Sequence, residues 1–150
     1  MKVYLGTDHR GFELKEKLKA WLLAEGYEVE DLGAHEYAPD DDYPVMSERV
    51  GRAAAADAGS RGILLCGSGA GAVAAANKIR GIRASIGFDE GQVKAGRNDD
   101  DMNVLVIAAD FISPERAEKL VKAFLETPFD KHTHRYQHRI NQIKELEERG

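Results

Sequence analysis

The stretch RGILLC at residues 61–66 ends in four consecutive apolar residues and runs straight into GSGAG at 67–71. A strand apolar on both faces belongs at the centre of a parallel sheet, covered by helices above and below. The alanine-rich segment that follows reads as a helix to about Ile79, so the turn must reverse the chain within a few residues. Strand, tight glycine turn and helix in that order leave few folds open to this chain.

The same alternation extends over the whole length. KVYLGT, YEVEDLG, IRASIGF and NVLVIAA read as further strands, the second alternating apolar and acidic residues as an edge strand does. Between the first two, Phe12, Leu14, Leu18, Trp21 and Leu22 recur at helical spacing, and Gly26 is a natural stop. Pro44 opens a helix over VMSERVGRAAAADAG; DEGQVKAGRN and the proline-started SPERAEKLVKAFLET are helical, and the charged tail from His132 forms the last helix. The expected fold is α/β: one domain over 1–150, a doubly wound, Rossmann- or flavodoxin-like five-stranded parallel sheet. Helices cover both faces, and a C-terminal helix follows.

With 43% hydrophobic and 31% charged residues the chain has a globular composition, and its formal charge of −5 argues against nucleic acid as a partner. One cysteine makes no internal disulfide, which fits a reducing compartment. No apolar run reaches the roughly eighteen residues of a membrane span, and Met1 leads directly into a strand. A cytoplasmic location without membrane contact is expected.

Ligands of doubly wound sheets bind where loops leave the carboxyl ends of strands. Three loops are assigned to that edge: GTDHRGF after the first strand, CGSGAG after the third, and GRNDDDMN before the fifth. In Gly67, Ser68, Gly69, Ala70 and Gly71 successive backbone N–H groups form a concavity suited to phosphate, carboxylate or a developing enolate. The pattern is neither the dinucleotide G-x-G-x-x-G nor a P-loop, and a plain tight turn has the same composition. Cys66 at the joint is a candidate nucleophile or base whose thiolate the adjacent N–H groups favour; its rival reading is a small buried hydrophobe. Asp8, His9 and Arg10 bring polar groups to the neighbouring loop, although Asp8 alone is also a helix cap. Arg135 and Arg139 share a helix face and offer a two-pronged cationic grip or a solvated face. His134 with His138, and the acidic run 99–101, lack the further ligands of a recognisable metal site, so neither metal nor cofactor is expected.

Taken together the motifs resemble the type B ribose-5-phosphate isomerases and galactose-6-phosphate isomerase subunits. The residues that carry the likeness are G-x-D-H-x-G-F-x-L-K at 6–15, DYP at 42–44, I-L-L-C-G-S-G-x-G at 63–71 and A-A-N-K at 75–78. G-I-R-A at 81–84, N-V-L at 103–105 and R-x-x-x-R at 135–139 complete it, in order and along nearly the whole chain.

The resemblance implies a homodimer, or dimers paired into a tetramer, with active sites at the interface. It implies aldose–ketose interconversion of a sugar phosphate through a cis-enediolate. One branch of the family uses Cys at the position of Cys66 as base, another a Glu at the position of Ala72, so this chain resembles the Cys branch. Ser68 then shuttles a proton, Asp8 and His9 contact sugar or phosphate, and Arg135 and Arg139 hold phosphate.

Two departures stand out. Asp99 and Asp100 occupy the places of the family's ring-opening His and its Asn, and Asp110 replaces an Arg, with Arg10 as a compensating cation. Either Asp99 is the ring-opening acid, or the substrate, such as a tetrose 4-phosphate, needs no ring opened. A non-catalytic sugar-phosphate binding protein is the alternative from another class.

Overall fold

A computed structural model describes residues 1–150. Five parallel strands, β1 (Lys2–Thr7), β2 (Glu28–Asp31), β3 (Arg61–Cys66), β4 (Ala84–Ile86) and β5 (Val104–Ala108), form one sheet in the order β2-β1-β3-β5-β4. The chain winds outward from β1 to one edge, returns to the centre at β3, and inserts β5 between β3 and β4. β3 is therefore the middle strand, which is why its sequence is apolar on both faces.

The strand alternation sorts the core into two layers. Ile63 and Leu65 point to one side with Leu14, Leu18 and Leu22 of α1 (Phe12–Ala24), Val93 of α4 (Glu90–Asp100) and Leu120 and Phe124 of α5 (Pro114–Glu126). Leu64 and Cys66 point to the other, against Val50 and Ala54 of α2 (Tyr43–Ala56) and Ala72 and Ala76 of α3 (Ala70–Ala76). One residue of register shift in β3 would exchange these sets, so the two helix layers fix its register. The last helix, α6 (His134–Arg149), packs on α4 and buries only Ile140.

Helix ends follow local rules. Asp89 caps α4 by accepting from Gln92 N–H (2.7 Å), Ser113 caps α5 through Arg116 N–H (3.3 Å), and Pro44 sits in the first turn of α2. α3 ends at Ala76 rather than near Ile79, and β4 keeps only three residues of the expected strand, as suits a short edge strand. No helix is long and apolar enough to cross a membrane.

Candidate active site

Cys66, at the carboxyl end of β3, is 4% exposed. The next residues turn sharply: Gly69 adopts φ +82° at the start of α3, a conformation that L side chains rarely tolerate. A Cβ at Gly67 would lie 3.0 Å from Asp110 Oδ2, and one at Gly71 only 2.4 Å from Tyr43 Cζ. Gly69 is thus demanded by its backbone conformation, and a side chain at Gly67 or Gly71 would have to displace Asp110 or Tyr43. Ser68 is exposed, and its Oγ accepts from Ala70 N–H (3.3 Å).

Pairing of β1 with β3 brings the first loop alongside. Asp8 N–H donates to Leu65 O (3.3 Å), and the Asp8 carboxylate, 5% exposed, accepts from Arg10 N–H (3.0 Å). Burial raises the pKa of Asp8 against the lowering effect of that bond. His9 is held by Asp41, whose Oδ1 accepts from both the His9 backbone N–H (2.9 Å) and Nδ1 (2.8 Å). The Arg10 guanidinium pairs with Asp110, whose own N–H donates to Gly67 O (3.1 Å). A cleft of about 370 Å³ opens beside Ser68, walled by Ile86, Phe88, Phe111 and Ile112.

The thiol's acidity runs against expectation. Burial pushes the Cys66 pKa up, the carboxylates of Asp8 and Asp110 add to this, and the N–H groups of Ala72 and Gly69 only partly oppose it. Desolvation is the largest influence and outweighs the field of the turn.

A second correction concerns Asp99 and Asp100. They end α4 and precede β5, and a segment entering a parallel strand lies at its amino end. Cys66 pairs in register with Ala108 at the far end of β5. One length of strand, about 13 Å, therefore separates the two edges. The structure brings Asp8, His9 and Arg10 to the turn at 67–71, but not Asp99 or Asp100 of the same chain. Arg135 and Arg139 are exposed on α6, whose far end is tied to Gly81 N–H by Glu147 (3.0 Å), near the amino end of β4. Tyr43 and Asp41 are members of the site's surroundings that sequence reading did not single out. Tyr43 stood in the quoted DYP motif, whereas nothing distinguishes Asp41 from its acidic neighbours.

A family model described as ribose/galactose isomerase matches residues 3–143. The chain belongs to the ribose/galactose isomerase family. Membership makes it an isomerase and accounts for the shared order of motifs from Gly6 to Arg139. Ribose-5-phosphate isomerase B of Mycolicibacterium paratuberculosis is 37% identical over 147 residues, 98% of this chain and 92% of the relative. A crystal structure of a ribose 5-phosphate isomerase from Thermotoga maritima superposes with TM-score 0.90 at 40% identity, covering 96% of this chain and 97% of the other. Ribose-5-phosphate isomerase B from Mycoplasma genitalium, with bound ribulose-5-phosphate, has TM-score 0.89 at 30% identity over 99% and 97% of the two chains. No three His, Cys, Asp or Glu side chains cluster as metal ligands.

Proposed function

We propose that this isomerase interconverts an aldose phosphate and a ketose phosphate of the ribose 5-phosphate/ribulose 5-phosphate type, with Cys66 as the base. The observation that supports this most is a lone cysteine at the end of the central strand. It faces a turn of N–H groups and stands beside Asp8, His9 and Arg10.

In the open-chain aldose, ionised Cys66 removes the C2 proton. The electron pair forms the C1–C2 double bond of a cis-enediolate, and the N–H groups of residues 67–71 hold the negative oxygen. Ser68 moves the hydroxyl proton between O2 and O1, and Cys66 returns its proton to C1, giving the ketose. A thiol pushed up by burial is scarce as thiolate but strongly basic once ionised.

Asp8, His9 and Arg10 bind the sugar and its phosphate from the same chain. Arg135, Arg139, Asp99 and Asp100 enter from a second copy, since one chain keeps them away from its own turn. That makes the working unit a homodimer with sites at the interface.

A second reading, an isomerase for a tetrose 4-phosphate, draws on Asp99 standing where the family's ring-opening His is expected. Proton exchange with deuterated solvent, measured on four-, five- and six-carbon sugar phosphates, decides between them. Exchange and turnover on the pentose phosphates, lost in Cys66→Ala with binding kept, is the expected result. Exchange confined to tetrose phosphates transfers the assignment, and binding without exchange on any of them leaves a binding protein.

A further inference from the structure

His9 and Asp41 form a contact that the isomerisation step leaves unused. One carboxylate oxygen anchors both the main chain and the ring of His9, at 2.9 and 2.8 Å. The His9 side chain is 25% exposed and that of Asp41 12%. Asp41 Oδ2 is buried with no hydrogen-bond partner, so no other donor competes for the carboxylate. Tyr37 meets the imidazole edge-on with centroids 6.4 Å apart and is itself packed on Phe12. Rotating the ring would give up the Nδ1 bond and this packing together.

A carboxylate only accepts, so Nδ1 carries the proton and neutral His9 has its lone pair on Nε2. We propose that Asp41 is a positioning residue that holds His9 in this tautomer, and that His9 Nε2 opens the furanose ring of the substrate. The proposal rests on the isomerase reading above and adds the group that prepares the open chain.

The step balances on one nitrogen. Nε2 takes the proton of the C1 hydroxyl as the C1–O1 double bond forms and the bond from C1 to the ring oxygen breaks. The same proton then passes to the ring oxygen. Both oxygens are bonded to C1, so a single fixed nitrogen reaches each in turn, and no outside acid is needed. The other tautomer would present a proton on Nε2 and could not begin the transfer. Asp99, even where it enters from the second copy, is not required for it, because His9 Nε2 both takes and returns the proton.

Ribulose 5-phosphate supplies the control, because its free hydroxyls cannot close a five-membered ring. Exchange of its C1 proton with solvent needs Cys66 chemistry but no ring opening. Full-length wild type, Asp41→Asn, Asp41→Ala, His9→Gln and Asp99→Asn are compared for ribose 5-phosphate turnover and for this exchange. The ratio of turnover to exchange is expected to fall about 10- to 100-fold in Asp41→Ala and His9→Gln and less in Asp41→Asn. Long-range ¹H–¹⁵N spectra should show His9 protonated on Nδ1 in the wild type and shifted toward the Nε2 form in Asp41→Ala. An unchanged ratio in both Asp41 variants, a fall in Asp99→Asn alone, or a wild-type His9 protonated on Nε2 overturns the proposal. A wild type that exchanges nothing overturns the isomerase reading instead and takes the ring-opening role with it; the spectra then still report whether Asp41 sets the ring.

Discussion

Arg10 and Asp110, a hundred positions apart, form an ion pair directly over Gly67, the first residue of the turn. The pair turns a carboxylate that would repel a phosphate into one that orients the guanidinium. Arg10→Ala leaves that carboxylate uncompensated at the mouth of the site. The KM for sugar phosphate should rise about tenfold, an effect that shrinks with added salt. Asp110→Ala frees the guanidinium and should lower KM. Equal KM values in wild type and both variants at fixed ionic strength would remove Arg10 from the site.

Burial sets the pH response of Cys66. Its pKa lies above the ordinary thiol value of 9.0, with burial first, the Asp8 and Asp110 carboxylates adding, and the N–H groups of Ala72 and Gly69 opposing. The thiolate share therefore keeps growing as pH rises through 9. Alkylation of Cys66 by iodoacetamide should climb over that range without levelling, and a plateau below pH 8 would contradict the assignment. Replacing Cys66 by Ala should cost about 10²- to 10⁴-fold in proton exchange.

Complementation tests the shared site. Cys66→Ala and the double variant Arg135→Ala/Arg139→Ala are each expected to be nearly inactive. After mixing and reassembly, half of random dimers are hybrids with one intact site of two, so about a quarter of wild-type activity should return. No recovery in verified hybrids would mean that each site draws Cys66 and the arginines from one chain, and full activity of the double variant alone would place the arginines outside the site.

Lys15 is a stability determinant. Its side chain is 0% exposed, with Nζ donating to Asp31 Oδ2 (2.7 Å) and Ala34 O (2.6 Å). Burial would raise the Asp31 pKa, but the Lys15 bond, the Gly33 N–H and Lys19 hold it below its usual 3.8. The stability this gives is present above that unfolded value and is lost as pH falls through the folded one. Lys15→Met leaves the Asp31 carboxylate with the Gly33 N–H (2.9 Å) and, as a close cation, the partly exposed Lys19 at 3.2 Å. A loss of about 3–5 kcal/mol in urea unfolding is expected.

Much of this site was legible along the chain because its parts are local. The apolar run ending at Cys66, the glycines at 67, 69 and 71, and the Asp8–His9–Arg10 loop are each contiguous, and strand and helix periodicity places them. Asp41 was not legible, since only the fold selects one carboxylate from the run 40–42 for His9. The edge assigned to Asp99 failed because a segment that enters a strand was grouped with segments that leave one.

From residue order by itself come the five strands, the helices that cover them, the central place of β3 and the family motifs. All of these rest on short-range pattern and backbone preference. Tertiary structure alone decided the insertion of β5 between β3 and β4 and the union of Arg10 with Asp110. It also decided the net acidity of Cys66: local pattern supplied the N–H groups that favour thiolate, not the burial and carboxylates that outweigh them. Desolvation by α2 and α3 and the charges of Asp8 and Asp110 come from segments far apart in sequence, and their balance exists only once the chain has packed.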